Sequence, residues 1–234
     1  MTKGPVPPGS NILVEFDPAS QWYNASLTIT AGWIRSGGVA SYNVYNQPPE
    51  NARLQLKRLG LDVEALERGE KLRIIDWYTV TLGQKSKEKY AITSLKFADL
   101  SILYSRQLIP ATGSPFPGTG YHLGPDVVRL SDDELVLLRF NDEKSFIDLW
   151  RTRIIPSAPS RNSTVIHSVA KGVCSEYIYK TMEASVDGIV DLKIDEEGGE
   201  VRNLIRIRNM RSVGFDSRWR RLKIDDNFEV TLEK

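Results

Sequence analysis

Residues 16–23 read FDPASQWY, between the apolar run ILVE and the segment ASLTITAGWIRSG. A strand, a tight turn and a helix N-terminus in that order make the place where backbone N–H groups can close around a phosphate. That chemistry needs glycines for the close approach, a lysine for the terminal phosphates and a hydroxyl for magnesium. The stretch holds no glycine, no lysine and no lysine–hydroxyl pair. A second group is basic. Arg202, Arg206 and Arg208 alternate with Ile205 and Ile207, and Arg218, Trp219, Arg220, Arg221 and Lys223 follow. Such alternation is normally a solvated sheet face or a subunit contact, while arginines beside a tryptophan are also a means of stacking on bases and binding phosphate. The remaining candidates are weaker. His122 and His167 have no partner motif that makes either a metal ligand, so a structural role is expected for both. Gly118-Thr119-Gly120 reads as a turn in a proline-rich loop.

The whole chain limits what these groups can do. At 234 residues and 41 % hydrophobic content it can bury one large core, and a single domain over 1–234 is expected. Thirty-one basic against thirty acidic residues leave a net charge of +1, so no global field recruits nucleic acid or an anionic membrane. Cys174 is the only cysteine, which excludes an internal disulfide and a cysteine-based metal cluster; a small buried hydrophobe is its expected role. MTKGPVPPGS has proline where a signal peptide needs an apolar core, and no uninterrupted apolar run approaches the length of a membrane span. A cytoplasmic protein without membrane contact is the expectation.

The elements that must position the candidates follow from periodicity. Ile12–Val14, residues 38–45, KLRIIDW, DVVRLSD and STVIHSV read as strands. PPENARLQLKRLG turns into a helix that stops at Gly60, residues 93–108 place Leu95, Ala98 and Ile102 at helical spacing, and NDEKSFIDLW is a further helix. Residues 111–126 form a Gly/Pro-rich loop. Strands alternating with helices argue for an α/β fold with a mostly parallel sheet covered on both faces. Four strand-like runs near the end, DGIVDLKI, VRNLIRIRNM, WRRLKI and FEVTL, argue for an antiparallel meander over 187–232 attached to a core over 9–188. Residues 26–30 (SLTIT) remain ambiguous. Their β-branched alternation suits a strand, whereas Leu27, Ala31 and Ile34 fall on one face of a helix.

The run DGIVDLKIDEEGGEVRNLIRIRNMRSVGFDSRW resembles the C-terminal strands of KaiC-like ATPases of the RecA superfamily. PENARLQLKRLG, KLRIIDWYT, ADLSIL, NDEKSF and AKGV are similar to further segments of that family, in the same order. The resemblance covers about residues 9–224 and implies a RecA-like sheet with helices on both faces. It also lays FDPASQWY on the family's P-loop: Phe16 and Gln21 stand at glycine positions, Trp22 at the lysine, Tyr23 at the hydroxyl, and Asp17, Ala19 and Ser20 between, with Pro18 alone retained. Asn46 and Gln47 stand where the family has the paired acids that polarise water, and amides are not general bases. Asn209 replaces a lysine that would reach a neighbouring subunit's nucleotide, and Arg211 remains. Asp132, with Asp133 beside it, matches the magnesium-ordering carboxylate at the end of a Walker-B-like strand.

What the resemblance implies is therefore a pseudo-ATPase. ATP and magnesium are expected to bind weakly or not at all, no metal or other cofactor is expected, and no residue is assigned a catalytic role. The expected partner is a protein, either a second copy or an active KaiC-like relative. Nucleic-acid binding through Arg202, Arg206, Arg208, Arg218, Trp219 and Arg220 is the alternative, and an enzyme with a displaced site near Asp132 is a third reading.

Overall fold

A computed structural model describes residues 1–97, 99 and 127–233. In chain order the elements are β1 (Asn11–Phe16), α1 (Trp22–Arg35), β2 (Val39–Val44), α2 (Pro49–Arg58), α3 (Val63–Arg68), β3 (Leu72–Asp76) and α4 (Tyr78–Thr81). After β4 (Val127–Ser131) come a 3-10 helix (Glu134–Arg139), α5 (Glu143–Leu149) running into a π-helical stretch (Trp150–Ile154), and α6 (Ser157–Arg161). β5 (Thr164–Ala170), α7 (Glu176–Ser185), β6 (Gly188–Glu197), β7 (Glu200–Met210), β8 (Arg220–Ile224) and β9 (Val230–Leu232) complete the described chain. Most of the helix expected over 93–108, the loop expected over 111–126, the 118–120 turn and His122 lie outside the described residues.

The strands form one sheet in the order β3-β2-β4-β5-β1-β6-β7-β8-β9. Every pair from β3 through β6 is parallel, and β7, β8 and β9 add antiparallel. The mostly parallel sheet with an antiparallel C-terminal extension is as expected. β6 is the last parallel strand, in register with β1 from Ile12↔Gly188 to Phe16↔Leu192, so the first of the four terminal runs is the edge on which the meander is built.

Both faces are covered. On one, Leu27, Ala31 and Ile34 of α1 pack with Ala52 and Leu56 of α2 against Ala40, Tyr42, Leu72, Ile74, Val128 and Leu130 of the sheet. On the other, Phe146 of α5 and Ile178 and Met182 of α7 cover Leu13, Val169 and Ile189. The SLTIT ambiguity thus resolves as helix. Leu27, Ala31 and Ile34 point inward, and the threonines are accommodated because Thr30 Oγ1 donates to the Ser26 carbonyl and Thr28 Oγ1 accepts from Val230 N–H. α2 begins with Pro49 in its first turn and ends before Gly60, which takes φ +82°, a value that favours glycine.

Candidate functional site

β1 is followed by a crossover through α1 to β2, three places away on one side, while β5 crosses through α7 to β6 on the other side of β1. Chain connections leaving in opposite directions open a crevice at the carboxyl ends of the strands, where ligands of open α/β sheets bind. The turn after β1, Asn46-Gln47 after β2, Asp132-Asp133 after β4 and Lys171–Ser175 after β5 all lie at this end.

The turn 17–21 is held from several directions. Asp17 N–H donates to the Leu192 carbonyl of β6, Ser20 N–H to the Asp17 carbonyl, and Ala19 N–H to the Asp17 carboxylate. Gln21 N–H donates to Asn203 Oδ1 of β7 at 3.0 Å. Gln21 Oε1 accepts from Asn24 Nδ2, and Lys171 Nζ donates to the same Leu192 carbonyl across the end of β1. None of residues 16–23 takes a positive φ, so the alternation of right- and left-handed residues that makes an anion nest is not present in this turn. Trp22, the first residue of α1, is 2 % exposed and lies with Phe16, Val14, Ala25, Ala170, Leu192 and Leu222 in one apolar cluster, its ring 6.1 Å from that of Phe16. Its indole N–H has no hydrogen-bond partner among the described residues.

Asp132 and Asp133 are brought together with Asn46 and Tyr23. Asp132 accepts from the backbone N–H of Tyr45 (2.8 Å), Asn46 (3.1 Å) and Asp133 (2.9 Å), which ties the end of β4 to the end of β2. Asp133 accepts from Leu135 and Ala170 N–H and from the Asn46 side chain, bridging toward β5. Burial outweighs these donors and pushes Asp132 up to about 7 and Asp133 up to about 6. The Tyr23 hydroxyl is itself buried without a hydrogen-bond partner among the described residues, and burial together with the Asp132 charge raises its pKa. The acid after β4 therefore acts electrostatically on the second residue of α1. Gln47 lies apart from this group, accepting from Asn51 Nδ2. Among the described residues no group of three or more His, Cys, Asp or Glu could hold a metal ion, and no helix is long and apolar enough to cross a membrane.

The arginine-bearing strands look different from a bare basic face. Arg202 pairs with Glu197 and Glu200, Arg206 with Asp191 at 2.9 Å, and Arg208 with Glu15, Glu183 and Asp191. Arg218 and Arg220 both pair with Asp216, and Trp219 lies between Lys193 and Arg206, whose cations sit 5.0 and 4.5 Å from its ring. Asn209 and Arg211 are exposed at the end of β7, where Arg211 Nη2 donates to the Ala184 carbonyl.

One expectation needs correction and two groups escaped the sequence. Cys174 is half-buried rather than fully buried, although burial pushes its thiol up to about 11. His167 stands in the middle of β5. Fully buried, it lies between Glu134 (Nδ1–Oε1 3.0 Å) and Asn11 Oδ1 (Nε2, 3.0 Å), with Trp150 edge-on. The acids that neutralise the arginines were not identified, since residues 15, 183 and 191 are remote from 202–208. Asn203 was not identified either.

No family model matches the sequence, and no curated protein matches it. Solved structures do. The KaiC-like protein PH0186 of Pyrococcus horikoshii OT3 matches at a TM-score of 0.69 and 13 % identity, over 100 % of this chain and 93 % of that one. The flagellar accessory protein FlaH of Methanocaldococcus jannaschii matches at a TM-score of 0.70 and 13 % identity, over 99 % and 92 %. Over its whole described length, then, the chain has the RecA-type fold of KaiC-like proteins that its sequence resemblance implies.

Proposed function

We propose that this protein is a KaiC/RecA-type domain without nucleotide hydrolysis, a single cytoplasmic unit that regulates or scaffolds through contacts with copies of itself or with an active relative. The observation that supports this reading is the burial of Trp22, which the sequence resemblance puts at the place of the phosphate-binding lysine, among Phe16, Val14, Leu192 and Leu222. The surrounding chemistry agrees. The Gln21 N–H that would face a phosphate is taken by Asn203, no residue of the turn adopts a nest conformation, and amides stand where the resemblance puts the water-polarising acids. These residues do not fit a magnesium–triphosphate group. Asp132, which would order the metal, is turned to three backbone N–H groups instead.

The experiment is titration calorimetry with ATP and magnesium. Binding no tighter than millimolar and no phosphate release are expected; micromolar binding, about 4 kcal/mol stronger, refutes the reading. Nucleic-acid binding is disfavoured by the ion pairs of Arg202, Arg206, Arg208, Arg218 and Arg220. Binding of an oligonucleotide with a steep dependence on salt would restore it.

A further inference from the structure

Glu15 is the penultimate residue of β1 and is 6 % exposed. Alternation puts its side chain on the face where Leu13 meets Ile178 and Met182 of α7. A carboxylate in that layer needs a counter-charge, and it comes from two strands away. Arg208 of β7 places Nη2 2.8 Å from Glu15 and 3.4 Å from Asp191 of β6, and Nη1 3.0 Å from Glu183 of α7. Arg206 of β7 also holds Asp191, and Lys180 of α7 holds Glu183 at 3.1 Å. From β5 the in-register neighbour is the apolar Val169, and Cys174 in the β5–α7 connection lies within the electrostatic reach of Glu15. Three carboxylates thus converge on one guanidinium, while Glu15 Oε1 is buried with no hydrogen-bond partner among the described residues.

We propose that Glu15, Glu183, Asp191 and Arg208 form a proton-sensitive clasp that sets how firmly α7 is held on the sheet. A proton taken from solvent onto Glu15 lets its carboxyl donate to the Glu183 carboxylate. The charge repulsion between β1 and α7 is then replaced by a hydrogen bond, with Arg208 left to Glu183 and Asp191. Loss of that proton leaves Glu15 a third carboxylate on Arg208, and unlike Asp191 and Glu183, which also have Arg206 and Lys180, it has no second cation among the ion pairs described. Burial is the main reason that Glu15 is pushed up to about 7; Glu183 is lowered although burial pulls it up, because Lys180 and the contact with Glu15 favour its charged form. The folded pKa stands above the ordinary 4.5, so between about 4.5 and 7 the closed form keeps a proton that the open form has lost. The grip therefore weakens as pH rises through that window and is level above it.

The test is native-state hydrogen exchange of the α7 amides, corrected for intrinsic rates, between pH 5.5 and 8. One proton changes the opening equilibrium tenfold per pH unit inside the window, so α7 protection should fall about 30-fold. In Glu15→Gln that step should vanish, while any slope due to Asp132 and Asp133, which contact β2 and β5, persists in the amides of those strands. Glu183→Gln, a change at a half-buried position, should shrink the step and serves as the second variant where Glu15→Gln does not fold. Carbon-13 NMR of the Glu15 carboxyl should give a midpoint near 7. A midpoint below 5, no step in the wild type, or an undiminished step in the variants overturns the proposal.

Discussion

Replacing Trp22 by alanine is the most direct probe of the turn after β1. Trp22 is 2 % exposed, packs among Phe16, Val14, Ala25, Ala170, Leu192 and Leu222, and makes no hydrogen bond through its indole nitrogen to any described residue. The loss on truncation is therefore packing and desolvation alone. Buried Trp→Ala changes cost about 3–5 kcal/mol, and nothing here argues for the low end, because the cavity would be walled by residues of four strands (β1, β5, β6 and β8) and of α1, which cannot collapse together. With a urea slope of about 3 kcal/mol/M, the unfolding midpoint should drop by about 1–1.7 M. Trp22→Phe keeps most of the apolar volume and should recover more than half of the loss. A midpoint unchanged by Trp22→Ala, or an equal loss in both variants, would show that Trp22 is not a packing residue, and the case against a nucleotide at this turn would lose its main support.

Asp132 and Asp133 have folded pKa values of about 7 and about 6 against an ordinary 3.8, so the native state holds more protons and stability should decline as pH climbs from about 4 to 7. Urea midpoints across that range should show the slope, and Asp132→Asn should reduce it while leaving the parts due to Asp133 and Glu15. Asn203→Ala removes the acceptor of Gln21 N–H and should cost about 1 kcal/mol in the same assay, with faster exchange of the Gln21 amide. His167→Ala leaves Asn11 Oδ1 without the ring and Glu134 with Ser131 Oγ alone, and it opens a cavity in the core; a cost of about 2–4 kcal/mol is expected by urea unfolding, and a cost below 1 would mean water replaces the ring.

How much of this was legible in the sequence depends on the distance over which each feature is determined. α1 was readable because Leu27, Ala31 and Ile34 carry its buried face within one short segment. α7 was not picked out, since EYIYKTMEAS has only Ile178 and Met182 as fully buried positions and its exposed Tyr177 blurs the pattern. The short α3 and α4 were likewise below what periodicity can detect. At the candidate site, the residue types after β1, β2 and β4 were readable, and so was the arginine face of β7. Its neutralisation was not. Glu15, Glu183 and Asp191 meet Arg208 only after four elements have assembled, and the Gln21–Asn203 bond spans 182 positions.

The place of β1 in the sheet has a consequence for how the chain reaches its native state. The strand emerges long before its neighbours on either side: Asn11 sits beside Val165 and Ile12 beside Gly188. Residues 39–76 can pair β2 with β3 locally, but the middle of the sheet stays open until β5 and β6 have been delivered. Closing such long loops before any contact rewards them is slow, and during that interval an apolar strand is without its pairing partners. Synthesis at several residues per second makes the wait tens of seconds long. A nascent chain stalled before β5 should therefore engage a chaperone through Ile12–Phe16, and release it once β6 has emerged.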